Sequence, residues 1–188
     1  HTPARCDGAM SANRLIIPVT LRGAFVGWQA RFLGEIDFKV MKVPKYLTYF
    51  SKSRTLYGLD QLKLADNNTL ALVEGATDCW RYGPGSLSRF GKKLSPRQAD
   101  ILVEVGKDKN LAILVDGDDP EAVESALEDY RSLTSKRYQG RIEILPIAKG
   151  KDPADISRKR LHAVVSSTFK KGTQDGEKES NDAQQLQT

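Results

Sequence analysis

The sequence predicts an α/β protein in which a layered parallel sheet is flanked by helices and preceded by a small basic β-rich subdomain. Strand-like and helix-like segments alternate from residue 69 onward, which is typical of parallel sheets with right-handed crossovers. Two apolar runs, LALVEGATD at 70–78 and LAILVDGDD at 111–119, are long enough for buried strands and stop at a carboxylate followed by glycine. Two shorter strand patterns among lysines and arginines come first.

The elements follow from local patterns in chain order. Arg22 and Gly23 form a turn between two strand patterns, which predicts a hairpin. Ser95, Pro96 and Gln98 carry the pattern of a helix-capping box. The predicted strands are 14–20, 24–30, 69–74, a short strand at 86–90, 110–116 and 141–147, and the predicted helices are 76–82, 96–106, 120–134 and 153–166.

The spacing of apolar residues in the predicted helix 120–134 indicates which face is buried. Within 120–134, an apolar stripe is predicted to pack on the sheet, and it consists of Val123, Ala126, Leu127, Tyr130 and Leu133.

Composition suggests four segments. We predict a disordered or truncated lead-in at 1–12, a basic β-rich subdomain at 13–65, an α/β domain at 66–168 and a disordered tail at 169–188. The tail lacks aromatic residues and almost lacks aliphatic ones after Lys171. The chain begins at His1 without methionine, so we expect it to be a piece of a longer reading frame.

Charge and cysteine content narrow the class of protein. The chain has 188 residues and a net charge of +5, so basic side chains must concentrate away from the acidic motifs, as in a groove that holds phosphates. Cys6 and Cys79 are too few for a four-ligand zinc set. We expect reduced thiols in a cytoplasmic protein, because no secretory signal or membrane span is recognisable.

The two acidic motifs predict a metal site. Glu74, Asp116 and Asp118 are expected at one rim of the sheet, where adjacent parallel strands end. Clustered carboxylates repel one another unless a cation neutralises them, and hard oxygen ligands suit Mg²⁺. The alternative is an ordinary strand followed by a helix cap, since Asp118 or Asp119 before Pro120 makes a good helix start.

A third acidic stretch lies downstream at 145–157. Asp152 precedes Pro153, which places this carboxylate in a strand-to-helix loop at the same rim. Asp155 is either a second ligand or a first-turn acid that interacts with the helix dipole.

Taken in order, EGxxD, DGD and LP followed by GKDP resemble the Toprim domain of bacterial and phage-type DNA primases. NRLIIPVTLRGAFVGWQARFLG at 13–34, PKYLT at 44–48 and KSRTLYGL at 52–59 resemble the segments that precede this domain in primases. The resemblance covers roughly residues 13–157. It implies a Toprim-like layered parallel sheet, with residues 66–168 as the Toprim domain.

The resemblance also implies site residues. Glu74, Asp116, Asp118 and Asp152 would line the metal site, with Asp155 as a further ligand and with Asp78 supporting the catalytic acids Glu74, Asp116 and Asp118. The residues expected to face nucleic acid or nucleotide are Arg14, Arg31, Lys45, Lys52 and Arg54. Two departures from the family pattern are the DGDDPEA sequence, in which Asp119 either adds charge or caps the helix, and the displacement of Asp155 by one residue.

The function implied is that of the catalytic domain of a phage or mobile-element DNA primase, a nucleotidyltransferase that makes short RNA primers with Mg²⁺ or Mn²⁺. Expected partners are single-stranded DNA, ribonucleoside triphosphates and a replicative helicase, and no membrane. Glu74 is either a metal ligand or the proton acceptor for the attacking 3′-hydroxyl. The alternatives are a Toprim-type metal-dependent nuclease and a non-catalytic module that binds nucleic acid or a helicase.

Aromatic residues surround the basic motifs and suggest a second mode of nucleic-acid contact. Interleaved aromatic and basic side chains are typical of single-stranded DNA binding, although tyrosines in such positions also anchor loops. The residues are Trp28, Tyr46, Tyr49, Phe50 and Tyr57.

Overall fold

The computed structural model of the chain describes residues 13–34, 40, 43–65, 68–116, 119–147 and 156–170. The chain divides into two compact units, His1–Lys52 and Ser53–Thr188. The sequence-based boundary after residue 65 lies inside the second unit. Leu56, Leu59 and Leu62 pack into the apolar core of that unit, which explains why the division falls earlier.

The first unit contains an antiparallel sheet of three strands in the order β1-β2-β3. These are β1 (Arg14–Leu21), β2 (Ala24–Phe32) and β3 (Tyr46–Thr48). Arg22 and Gly23 both have positive φ, 54° and 78°, which matches the twist of the flanking strands and confirms the predicted hairpin. The short strand β3 was not predicted, because its three residues are defined by pairing with β2 rather than by a pattern of their own.

The second unit contains a fully parallel sheet in the order β5-β4-β6-β7. Its strands are β4 (Thr69–Val73), β5 (Ser86–Ser88), β6 (Asn110–Asp116) and β7 (Ile142–Ile147). Its helices are α1 (Ala76–Tyr82), α2 (Pro96–Gly106), α3 (Pro120–Ser135) and α4 (158–170). Two 3-10 turns, Lys52–Arg54 and Leu59–Leu64, lie before β4. The predicted layered parallel sheet is therefore confirmed.

Apolar side chains cover both faces of this sheet. Leu70 and Leu72 of β4 belong to a cluster with residues of α2 and α3. Ala71 and Val73 alternate with them and belong to a second cluster with residues of α1 and α4. Burial on both faces explains why the strand sequences are continuously apolar rather than alternating.

Helix signals predicted from sequence have the expected contacts at α2. The Ser95 hydroxyl accepts a hydrogen bond from the Gln98 amide at 3.1 Å, and the Gln98 side chain accepts one from the Ser95 amide at 2.9 Å. This reciprocal pair satisfies two amides at the helix start, and it confirms the predicted capping box.

Two helix predictions need correction. In α3, Leu127 and Tyr130 are 42% and 40% exposed, whereas Asp129 is buried at 1%, so the inward face is rotated from the predicted stripe. The physical reason is an ion pair between Asp129 and a buried arginine, described below. The last helix was predicted at 153–166; residues 156 and 157 are not helical, and α4 covers 158–170, while residues 153–155 lie outside the described part.

Within the described residues, none of the helices has the length and apolar character needed to cross a lipid bilayer.

Candidate functional site

Two of the predicted acids lie at the ends of neighbouring strands. Glu74 directly follows β4, and Asp116 is the last residue of β6. The strands are parallel, with Leu72 opposite Ile113, so both residues lie at the carboxyl-terminal end of the sheet, which we call the acidic edge. Glu74 is exposed and Asp116 is half-buried, so a ligand can reach this edge from solvent.

The backbone around Glu74 is held by the neighbouring strand β5. The Ser88 hydroxyl donates to the Glu74 carbonyl at 2.7 Å, and the Arg89 amide donates to the Val73 carbonyl at 3.2 Å. The Phe90 amide donates in turn to the Ser88 hydroxyl at 3.1 Å. These bonds fix the direction in which the chain leaves β4, and thereby where the Glu74 side chain starts.

Asp78 contributes a structural contact at the start of α1. Its Oδ2 accepts a hydrogen bond from the Gly75 amide at 2.8 Å, and the residue is only 9% exposed. This carboxylate therefore stabilises the turn that follows Glu74. Its predicted catalytic role remains a prediction.

The contacts of Asp119 decide between its two interpretations. Its Oδ1 accepts hydrogen bonds from the amides of Glu121 at 3.0 Å and Ala122 at 3.3 Å, so it caps α3. Its Oδ2 pairs with the Lys92 ammonium at 2.6 Å, and Lys92 also contacts Glu121 at 2.9 Å. The hydrogen bond from Lys92 lowers the pKa of Asp119. Asp119 is thus a helix cap that is neutralised by a lysine.

The remaining predicted ligands, Asp118, Asp152 and Asp155, lie outside the described residues. Within the described ranges, no group of three or more histidine, cysteine or acidic side chains is arranged to hold a metal ion. The donors that the described edge offers are carboxylate oxygens, which fit Mg²⁺. The nearby Cys79 thiol is buried, and burial raises its pKa to about 12, which disfavours a thiolate ligand for a softer metal.

A buried ion pair supports the loop beside this edge. Arg89 Nη1 lies 2.8 Å from Asp129 Oδ2, with both side chains 1% exposed. Asp129 Oδ1 accepts a hydrogen bond from the Leu94 amide at 2.8 Å, and the Gln98 side chain donates to the Arg89 carbonyl at 2.9 Å. Burial lowers the pKa of Arg89, while the charges of Asp129 and Glu74 oppose that effect. Burial likewise raises the pKa of Asp129, against the effect of Arg89.

Four residues that support the acidic edge were not predicted from the sequence: Ser88, Arg89, Lys92 and Asp129. One signal was available: Asp129 shares the spacing of Ala122, Ala126 and Leu133, the buried positions of α3. An acid at such a position indicates a buried partner.

The basic residues of the first unit lie on two faces of its sheet. Arg14 is opposite Phe32 and Arg31 is opposite Leu15, so their side chains leave from opposite faces. Arg14 donates to the Pro44 carbonyl at 2.8 Å, and its guanidinium lies 5.5 Å from the Phe32 ring centroid. Arg31 donates to the Tyr46 hydroxyl at 3.0 Å.

Lys45, Lys52 and Arg54 are exposed. Lys45 and Lys52 belong to the first unit and Arg54 to the second. A role for these residues in binding nucleic acid remains a prediction.

Comparison with known proteins points to one group. No protein-family model matches the chain. The chain is 29% identical to a DNA primase of Synechocystis sp. over 151 residues, which are 74% of the chain and 23% of that protein. It is 29% identical to a DNA primase of Clostridium acetobutylicum over 154 residues, 78% of the chain and 25% of that protein. The chain therefore spans about a quarter of the length of these curated relatives.

Solved structures give the same answer for the fold. The Aquifex aeolicus primase, comprising zinc-binding and RNA polymerase domains, superposes with a TM-score of 0.68 at 25% identity, over 82% of this chain and 40% of that one. A DnaG primase catalytic domain bound to single-stranded DNA superposes with a TM-score of 0.67 at 25% identity, over 85% of this chain and 51% of that one. In sequence and in fold, the chain resembles the catalytic core of bacterial DNA primases.

Proposed function

We propose that this chain is the catalytic core of a DNA primase that joins ribonucleotides into short RNA primers on a single-stranded DNA template. The observation that carries the proposal is the pair of carboxylates, Glu74 and Asp116, at the ends of adjacent parallel strands in a fold shared with primase cores. The similar DnaG domain bound to single-stranded DNA supports the choice of template.

In this proposal the acidic edge holds the divalent ion. Glu74 and Asp116 would bind Mg²⁺ together with Asp118, Asp152 and Asp155, and Mn²⁺ is the alternative ion. The ion would stabilise the charge that develops on the transferring phosphoryl group and on the leaving pyrophosphate.

The side chains of the protein have separate tasks. The exposed Glu74 carboxylate either completes the ion's ligand set or accepts the proton of the attacking 3′-hydroxyl. Asp78 orients the turn after Glu74, and Lys92 keeps Asp119 at the start of α3. The phosphates of template and nucleotide would be bound by Arg14, Arg31, Lys45, Lys52 and Arg54.

The direct test is primer synthesis. The chain is incubated with single-stranded DNA, labelled ribonucleoside triphosphates and Mg²⁺ or Mn²⁺, and short RNA products are resolved on a gel. We expect Glu74→Gln and Asp116→Asn each to lower the rate at least about 100-fold while leaving DNA affinity within about twofold, because each removes an interaction that acts on the reacting phosphate. Glu104→Gln, the same chemical change on the exposed side of α2, is the control and should retain full activity.

The outcomes separate the candidate functions. Metal-dependent cleavage of DNA without nucleotide incorporation would replace the proposal with a Toprim nuclease. DNA binding with neither reaction would favour a non-catalytic module. Normal primer synthesis by both acid variants would remove the assignment of the acidic edge.

The two roles of Glu74 differ in their kinetic effects. If Glu74 is a ligand, Glu74→Gln raises the Mg²⁺ concentration needed for half-maximal rate. If it is the base, the variant loses the acidic limb of the pH–rate profile without a change in the Mg²⁺ requirement.

We also propose a replicative helicase partner and a cytoplasmic location, which the likeness to primases supports. Co-sedimentation of the chain with the helicase from the same source would test the first.

A further inference from the structure

The positive charge of the chain is concentrated in the first unit. Residues 1–52 contain eight lysines or arginines and three acids, a net charge of +5 that equals the excess of the whole chain. Residues 53–188 carry equal numbers of both signs, 21 of each. The described ranges 13–34 and 43–52 contain no aspartate or glutamate at all. A polyanion would therefore be attracted to this unit rather than to the other.

One face of the sheet in this unit is apolar and exposed. Ile16 is opposite Ala30, and Pro18 is opposite Trp28, so these side chains share a face. Ile16 is 54% exposed, and Pro18 is exposed as well. The opposite face contains Ile17 and Val19, both 0% exposed. On the side of the sheet that contains the half-buried Trp28, solvent therefore reaches Ile16 and Pro18, although Ala30 on the same side is 1% exposed.

Trp28 and Tyr49 form a stacked pair on that exposed face. Their ring centroids are 4.1 Å apart, with 23° between the ring planes. The Tyr49 amide donates to the Trp28 carbonyl at 2.9 Å, so the backbone itself sets the pair in register. Tyr49 is 57% exposed, which leaves room for a further flat group on the pair. The stacking also orders the rings before any ligand arrives, which lowers the entropy cost of binding.

Cations lie at one end of the same face. Arg14 is opposite Phe32, and the Phe32 amide donates to the Lys45 carbonyl at 2.9 Å. Because side chains alternate along a strand, Lys45 leaves from the face opposite to Tyr46, which is the face of Trp28 and Tyr49. Lys45 is exposed and Arg14 is half-buried. Aromatic rings and cations on one face are the combination that binds the bases and phosphates of a single strand.

We propose that Trp28 and Tyr49 form a stacking platform for the nucleobases of single-stranded nucleic acid, with Lys45 binding a phosphate further along the same strand. Single strands fit this face and duplexes do not, because only an unpaired base offers its ring face to a protein side chain. The inference rests on the proposed primase function and adds how the single-stranded template is bound. Its test requires neither catalysis nor metal.

Tryptophan fluorescence provides the test, since the chain contains only Trp28 and Trp80. Trp80→Phe leaves Trp28 as the single reporter. Its emission is followed while an oligothymidylate is added in EDTA without nucleotides. We expect saturable quenching, because a base that stacks on the platform contacts the indole directly or through Tyr49. Duplex DNA of the same length should quench much less.

Substitutions in this background separate stacking from charge. Tyr49→Ala should weaken binding roughly 5- to 150-fold without changing its salt dependence, whereas Tyr49→Phe should bind within about twofold of the parent. Lys45→Ala should lower the slope of log affinity against log salt by about one. Tyr130→Ala, an equally drastic change at an exposed tyrosine of the second unit, is the matched control and should have no effect. Unchanged far-ultraviolet circular dichroism of Tyr49→Ala establishes that the sheet remains folded.

Several results would overturn the platform. These are unchanged affinity of Tyr49→Ala, equal losses for Tyr49→Ala and Tyr130→Ala, or Trp28 emission that ignores saturating DNA. If Trp28 emission changes with protein concentration but not with DNA, the exposed face serves self-association, and the stacking platform is overturned. If quenching occurs without primer synthesis, the proposed function fails while the platform stands; if primers form but Tyr49→Ala binds normally, only the platform fails.

Discussion

Replacement of Asp129 by asparagine tests the buried ion pair that supports the loop beside the acidic edge. Asp129→Asn preserves the shape of the side chain and an acceptor for the Leu94 amide, but it leaves the buried Arg89 guanidinium without its paired carboxylate. Arginine does not lose its proton under ordinary conditions. The charged guanidinium must therefore stay buried in the second unit or become exposed to solvent as the loop opens.

The expected cost is large because both side chains are 1% exposed. Removal of one partner from a buried pair costs about 3–5 kcal/mol. For residues 53–170 of the second unit, this corresponds to a fall of roughly 12–20 °C in melting temperature. A domain with a total stability of about 5–15 kcal/mol would lose about a fifth of it or more.

Thermal and urea unfolding followed by circular dichroism measure this effect. The double variant Arg89→Met with Asp129→Asn carries no buried charge, so it should be more stable than Asp129→Asn alone. Glu128→Gln changes the neighbouring residue, whose contact with Lys93 lies at the surface, and should melt with the parent. A loss below about 1 kcal/mol for Asp129→Asn, or a double variant less stable than the single one, would refute the reasoning.

Three further predictions concern a surface ion pair, a glycine turn and a buried thiol. Lys92→Met should lower the melting temperature at pH 7, and this deficit should vanish in acid. The lowered pKa of Asp119 stabilises the fold above roughly pH 4, and that contribution is lost as the carboxylate is protonated. An equal deficit at pH 3 would contradict this explanation. Gly58→Ala should destabilise the folded protein by about 2 kcal/mol or more, since φ is +89° and a Cβ would lie 2.4 Å from the Ser86 carbonyl oxygen. Gly23→Ala, with φ +78° and open space around the Cβ, should cost only the backbone strain of about 1 kcal/mol. Equal losses of stability in urea melts would exclude the steric clash. In a variant whose other cysteine is serine, Cys79 should react with a thiol reagent at pH 8 only after unfolding, because burial raises its pKa to about 12; rapid labelling of the native protein would show that the thiol is accessible.

Most of the parallel fold could be predicted because its signals are local. The helices at 76–82 and 96–106 have the predicted bounds, since glycine or serine caps begin them and glycine lies at or beyond their ends. The strands β4 and β6 are recognisable as apolar runs that end at a carboxylate. The edge at which Glu74 and Asp116 lie follows from parallel pairing alone.

The contacts that support the candidate site could not be predicted in the same way. Ser88 meets Glu74 across 14 positions in sequence, and Lys92 meets Asp119 across 27. Hydrophobic periodicity does not position loop residues such as Lys92, which the sequence shows only as one of two adjacent lysines. In α3, the apolar residues suggested one buried stripe, but the long-range pairing of Asp129 with Arg89 turned a different face inward.

The isolated bridge between Tyr57 and Ser88 has a consequence for behaviour at high concentration. The Tyr57 amide donates to the Ser88 carbonyl at 2.9 Å, and the Ser88 amide donates to the Tyr57 carbonyl at 3.1 Å. The amide and the carbonyl of Ser88, which would otherwise point outward from β5, are therefore already hydrogen-bonded. A strand from another molecule finds no open ladder to extend at that position, so this one bridge blocks edge-to-edge pairing along the end of β5.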